Sequence, residues 1–244
     1  MERVINIDAY RQRINSLLER IKNAATSSGR CFDDIKVVAV SKTQSEDAIR
    51  AAFDCGFRHF GENRAEELKE KANRLSDLKD IKWNFVGTLQ SRQAPPVAIN
   101  AHIFHAVDRI KIADVLSKKL EGSDKTLAIF VQVNVSGEET KHGFDCSAWE
   151  TDSRQRDALG ESLIKISTLP NLQVNGLMTM APLIASEIET RNVFRRTKNL
   201  YDWLNNTYPE IKMSKLSMGM SGDFEIAIQE GATDVRIGSA IFKN

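Results

Sequence analysis

The chain has 244 residues, with 34 lysines and arginines against 33 aspartates and glutamates, a net charge of +1. An apolar content of 41% is that of an ordinary globular protein and excludes a disordered chain, while the balanced charge leaves no whole-protein field to draw in nucleic acid or an anionic membrane. The length suits one or two ordinary domains or a single α/β barrel, and is enough to bury a core without disulfides or metals.

The first segment reads as a helix: Tyr10, Ile14, Leu17, Leu18, Ile21, Ala24 and Ala25 recur at helical spacing and Gly29 follows as a stop. A pattern then repeats along the chain, a short apolar run, a polar or glycine turn, and a helical stretch. The runs are Val37–Val40, Phe57–Phe60, Trp83–Val86, Ile103–Ala106, Leu127–Val135, Val174–Met178, Met213–Ser217 and Val235–Ile237. Thr43-x-x-Glu46 and Ser186-x-x-Glu189 have the form of capping boxes, and Asp108 and Ser221 are candidate helix caps. Glu138 to Leu159 is a polar insertion, expected as a surface loop leading into the helix after the fifth run. Eight short strands alternating with helices predict a parallel sheet. In this length they fit a closed (β/α)₈ barrel of the TIM type with an extra N-terminal helix at residues 1–30, one domain over 1–244. An open doubly wound sheet is the competitor, but the first run is not followed by G-x-G-x-x-G.

Other features narrow the class. The cysteines, Cys31, Cys55 and Cys146, are scattered, and neither C-x-x-C nor H-E-x-x-H occurs, so no zinc site or disulfide framework is expected and the compartment reads as cytoplasmic. The longest apolar run, Leu127 to Val131, is too short to span a bilayer. Met1 to Asp8 contains no apolar signal core.

In such a barrel, chemistry is carried where strands end and βα loops begin. The first run ends Ser41-Lys42-Thr43. A lysine there points into the mouth, where partial desolvation would lower its pKa and let a neutral amine attack a carbonyl. The second ends Gly61-Glu62-Asn63, and Asn63 offers a donor and an acceptor. In the fifth run Gln132 and Asn134 alternate with valines, a parity that suits lumen-facing groups satisfied by a ligand. The seventh ends Ser217-Met218-Gly219-Met220-Ser221-Gly222-Asp223 and the eighth ends Arg236-Ile237-Gly238-Ser239. Both pair glycine with hydroxyls at a strand-to-helix turn, where backbone N–H groups and the helix dipole hold phosphate. Arg236 adds a fixed cation, an ion-pair partner or a contact to a ligand anion or heteroaromatic nitrogen. An amine at one side of the mouth and a phosphate cradle at the other suit pyridoxal 5′-phosphate (PLP), which carries an aldehyde and a phosphate on one ring.

The motifs Ala39-Val40-Ser41-Lys42-Thr43, Phe60-Gly61-Glu62-Asn63, Val133-Asn134-Val135-Ser136-Gly137, Gly176-Leu177-Met178-Thr179-Met180, Leu216 to Asp223 and Val235-Arg236-Ile237-Gly238 follow one another in order. Over about Ile35 to Phe242 the chain resembles the pyridoxal phosphate homeostasis proteins, whose barrel is that of the N-terminal half of alanine racemase. The resemblance implies that Lys42 forms an internal aldimine with PLP. It implies that the turns Met218-Gly219-Met220-Ser221 and Gly238-Ser239 hold the phosphate, that Ser217 belongs to the cofactor site, and that Asn63 lines the pocket near the ring. Arg236 is implied in the pocket, facing the ring nitrogen or assisting the phosphate. There are departures: Asn84 stands where the family usually has His, Arg92-Gln93 where it has Asn-Lys, and the insertion after Phe144 is longer.

The resemblance implies a non-enzymatic protein of vitamin B6 homeostasis, one that buffers PLP or supplies it to apo-enzymes. A PLP-dependent amino-acid racemase or lyase with weak activity is the alternative, and a cofactor-free Schiff-base aldolase is a third class. Racemisation needs two acid/base groups, one on each face of the cofactor. Alanine racemase takes one from a second domain, and eight βα units leave no room for one here. Tyr10, Tyr201 and Tyr208 fall in expected helices, which leaves His105 as the candidate second group. No metal, nucleic acid or membrane partner is expected, and the chain is expected to be a monomer.

Overall fold

The computed structural model describes residues 7–138 and 140–242. The strands are β1 (Lys36–Val40), β2 (His59–Glu62), β3 (Lys82–Phe85), β4 (Ile103–Val107), β5 (Leu127–Asn134), β6 (Phe144–Asp145), β7 (Leu172–Met178), β8 (Lys215–Ser217) and β9 (Asp234–Ile237). All but β6 form one parallel sheet that closes on itself. β1 lies between β2 and β9, β4 pairs with β5, and β5 passes to β7 and β8. The expected eight-stranded barrel is therefore the observed one.

The helices are α1 (Ile7–Ser27), α2 (Glu46–Asp54), α3 (Ala65–Arg74), α4 (Ala94–Asn100), α5 (Ile110–Leu120), α6 (Ser153–Ser167), α7 (Glu187–Thr207), α8 (Phe224–Gln229) and α9 (Ser239–Phe242). α1 is the extra helix. Its buried face, Tyr10, Ile14, Leu17, Ile21, Ala24 and Ala25, packs on α8 and α9. Arg30 ties its far end down by donating to the carbonyls of Ile228 and Ala232 at 3.0 and 2.7 Å. Alternation along the strands sends Phe85 and Phe104 to one face, 5.6 Å apart, and Asn84 and His105 to the other, into the lumen. Residues 1–6, most of the Met1 to Asp8 segment that shows no apolar signal core, lie outside the described residues.

Several local expectations are corrected. The second strand starts at His59 rather than Phe57 and continues through Gly61 and Glu62. Thr43 caps nothing. It adopts φ 63°, and Ser45 caps α2 instead, accepting from the Ala48 amide. Ser186 and Glu189 do form the expected capping box. Asp108 makes no cap and pairs with Arg109 at 2.6 Å. Ser221 does not cap α8. Its Oγ accepts from the amides of Gly238 and Ala240, so it caps the following helix, α9. The insertion is not all loop. β6 adds to β5, and α6 begins at Ser153, within it. Gln132 and Asn134 hold this insertion rather than a ligand, donating to the carbonyls of His142 and Glu138 at 2.8 and 2.9 Å.

Candidate functional site

At the C-terminal ends of the strands the mouth opens into a cavity of about 660 Å³. Of the nine residues singled out from the sequence, Lys42, Asn63, Ser221, Arg236, Gly238 and Ser239 line it. Ser217, Met218 and Gly219 stand behind the wall. Ser217 and Met218 are fully buried. Gly219 has φ +93°, and a Cβ there would lie 2.5 Å from that of Ala227. Its carbonyl accepts the Arg236 amide at 2.9 Å, which sets the arginine's strand against the turn.

Lys42 extends from the end of β1 on a turn that is built from below. The Thr43 amide donates to Glu67 Oε1 at 2.7 Å. Lys71 Nζ bonds the Ser41 carbonyl, Glu62 Oε1 and Glu67 Oε1 at 2.7, 2.9 and 2.7 Å. Ser41 Oγ donates to Glu62 Oε1 at 2.6 Å. Burial pushes the Glu62 carboxyl above its usual range, opposed by the Lys71 ammonium beside it. The Lys42 side chain itself is exposed, so the expected desolvation is not met, because the mouth opens to solvent. Its amine makes no hydrogen bond or ion pair among the described residues and faces the cavity unengaged.

The opposite wall is made by the turns after β8 and β9. The amides of Ser221, Gly222 and Ser239 have no hydrogen-bond partner among the described residues. Nothing lies within 4 Å of where a Gly222 Cβ would stand. That is open space beside unpaired donors, which an anion's oxygens fit. Asp223 closes the turn by accepting the Met220 amide at 2.5 Å.

Arg236 forms the floor. It is 5% exposed, and it donates through Nη1 to Ser217 Oγ at 2.6 Å and through Nη2 to the Thr179 carbonyl at 3.0 Å. Burial lowers its pKa to about 10, opposed by Asp223 and Asp234, so it is cationic at neutral pH. His105, the sequence candidate for a second acid/base group, does not reach the cavity. It is fully buried, stacked on Phe130 at 4.6 Å and held between Ser217 and Asn84.

Sequence reasoning missed the wall formed by Val86, Gly87, Thr88, Met180, Pro182, Leu183, Ala185 and Thr190. Gly87 carried a signal. A Cβ there would sit 2.3 Å from the Asn63 carbonyl, so the β2 and β3 loops meet only at a glycine. Thr190, reaching in from α7, carried none.

A lysine amine, a donor-lined anion turn and a buried arginine at the mouth of a parallel barrel define a class. The chain from residue 5 to 244 matches the family model of the alanine racemase N-terminal domain, and it belongs to this family. Its relatives include proteins named pyridoxal phosphate homeostasis protein. That of Aquifex aeolicus is 36% identical over 231 residues, 95% of this chain and 96% of the relative. That of Pseudomonas aeruginosa is 38% identical over 231 residues, covering 95% and 94%. Among solved structures, PipY of Synechococcus elongatus with PLP bound is 30% identical, with a TM-score of 0.81 over 96% of this chain and 99% of that one. An alanine racemase of Clostridium difficile shares the fold alone, at 16% identity and a TM-score of 0.66, over 97% of this chain and 57% of the racemase.

Proposed function

We propose that this chain binds PLP in the barrel mouth through Lys42 and serves intracellular PLP homeostasis, buffering the reactive cofactor or supplying it to apo-enzymes. The observation that carries the reading is the pairing, in one cavity, of an unengaged Lys42 amine with the unpaired amides of Ser221, Gly222 and Ser239. When bound, PLP brings an aldehyde that a primary amine attacks and a phosphate that backbone amides hold. The names of the relatives and the PLP-bound PipY structure support the same reading.

Each residue has a role in this account. Glu62, Lys71 and Glu67 hold the turn that aims Lys42. Ser221 keeps the turns after β8 and β9 together by accepting the Gly238 and Ala240 amides, leaving the Ser221, Gly222 and Ser239 amides for phosphate. Asn63 borders the ring from the β2 side. Arg236 supplies a fixed positive charge beneath it. Ser217, Met218 and Gly219 support the wall from behind.

The proposed role is binding rather than turnover. Racemisation needs a second acid/base group. None of Tyr10, Tyr201, Tyr208 and His105 lines the cavity. Among the described residues, no helix is long and apolar enough to cross a membrane, and no His/Cys/Asp/Glu group is placed to hold a metal. A cytoplasmic monomer is part of the proposal.

Titration with PLP tests the assignment. The wild type is expected to develop a visible absorption band and Lys42→Ala none. A band that survives in the variant overturns the role of Lys42. Exchange of the α-hydrogen of alanine in deuterated water by the loaded protein overturns the non-enzymatic reading.

A further inference from the structure

A line of buried polar side chains crosses the lumen beneath the cavity, and its hydrogen bonds run in one direction. It starts at Asn84 on β3. Asn84 Nδ2 donates to the Lys82 carbonyl at 2.8 Å and lies 3.3 Å from the Phe60 carbonyl and 3.5 Å from His59 Nδ1. An amide nitrogen surrounded by acceptors fixes the other end: Asn84 Oδ1 faces His105 Nε2 at 3.0 Å and can only accept. His105 therefore carries its proton on Nε2. Its Nδ1, 2.9 Å from Ser217 Oγ, is an acceptor for the serine hydroxyl. With its proton committed to the imidazole, Ser217 presents lone pairs to Arg236 Nη1 at 2.6 Å. Asn84, His105 and Ser217 are each fully buried, so bulk solvent does not offer alternative partners. Burial and the nearby Arg236 hold His105 neutral, its pKa well below the ordinary value.

We propose that Asn84 is a positioning residue for ligand binding. Through His105 and Ser217 it fixes the position and orientation of the Arg236 guanidinium on the cavity floor, where the ligand meets it.

The physical basis is the order of the chain. An amide cannot pass a proton on, so the line ends at a backbone carbonyl and no proton moves along it. If Asn84 Oδ1 is removed, the buried His105 Nε2–H loses its acceptor, a cost that the ring escapes by moving its proton to Nδ1. The Ser217 hydroxyl then loses Nδ1 as the acceptor of its proton and must turn that proton elsewhere, which disturbs the seat of the guanidinium without removing its charge. The ligand role rests on the proposed PLP site; the tautomer of His105 does not.

Two measurements test the inference. Nitrogen-15 NMR of the histidine side chains of the unloaded protein is expected to show His105 as the Nε2–H tautomer, and an Nδ1–H tautomer overturns the relay. Affinity for PLP is then measured in a double-mutant cycle. Asn84→Leu is expected to weaken binding about tenfold, the worth of one hydrogen bond to a charged group. The same substitution in an Arg236→Met background is expected to weaken it no further. Ser217→Ala serves in the same cycle if Asn84→Leu does not fold. Equal losses in both backgrounds mean that Asn84 does not act through Arg236 and overturn this inference alone. A wild type that binds no PLP overturns the functional proposal and the ligand role of Asn84 with it.

Discussion

Lys71 Nζ lies 2.9 Å from Glu62 Oε1, a buried ion pair directly beneath the turn that carries Lys42. Lys71 is 9% exposed at its side chain and Glu62 not at all. Removing one partner leaves the other charge uncompensated in a low-dielectric interior. Lys71→Met is expected to destabilise the fold by roughly 3–5 kcal/mol, read by denaturant unfolding. At denaturant-free conditions it is also expected to weaken PLP binding, because the Ser41 carbonyl loses its anchor. A stability loss well under 1 kcal/mol would show that the pair does not hold the turn.

Gly219 is a second point of tension. At φ +93°, with a would-be Cβ 2.5 Å from that of Ala227, alanine is both strained and overpacked. Gly219→Ala is expected to cost about 2 kcal/mol or more, again read from unfolding. Gly222→Ala meets no neighbour within 4 Å and has no positive φ. It is expected to leave stability within about 0.5 kcal/mol while reducing affinity for PLP, since the added methyl enters the anion space.

These two glycines show what the sequence made legible. The eight apolar runs, the glycine turns after β8 and β9, and Lys42 at the end of β1 were readable because strand periodicity and turn chemistry are local. The roles of Ser217 and Ser221 were not. Both appear in the sequence as hydroxyls at a phosphate turn, yet Ser217 points inward to His105 and Arg236, and Ser221 caps a helix that starts eighteen residues later. Those partners come from β4, β9 and α9, and only barrel closure brings them together. His105 misled for the same reason. Its position at a strand end suggested the mouth, whereas strand alternation sends it into the lumen below. The parity of Gln132 and Asn134 suits ligand-facing groups because nothing local reveals that the inserted segment folds back onto β5.

Ser221 offers a separable prediction. Ser221→Ala removes the acceptor of two amides. It is expected to cost about 1 kcal/mol of stability, as for other helix caps. Inorganic phosphate, as a competitor of PLP, is expected to bind the variant more weakly than the wild type. Unchanged competition would place the phosphate elsewhere.

His59 gives a pH signature. Burial first, and then the charge of Lys36, lowers its pKa from 6.5 to about 4. Between those values the unfolded chain binds the extra proton, so this contribution to stability is complete above pH 6.5 and is lost as pH falls toward 4. His59→Asn is expected to reduce the slope of unfolding free energy against pH in that window, by up to about 1.4 kcal/mol per pH unit. Denaturant unfolding of both proteins at a series of pH values measures it, and identical slopes would show that His59 titrates alike in the two states.

The central claim is that one amine, that of Lys42, receives the cofactor. Borohydride reduction of the PLP-loaded protein, followed by proteolysis and mass spectrometry, locates the attachment directly. A single modified peptide containing Lys42 is expected. Modification spread over other lysines, with the Lys42 peptide unlabelled, would contradict it.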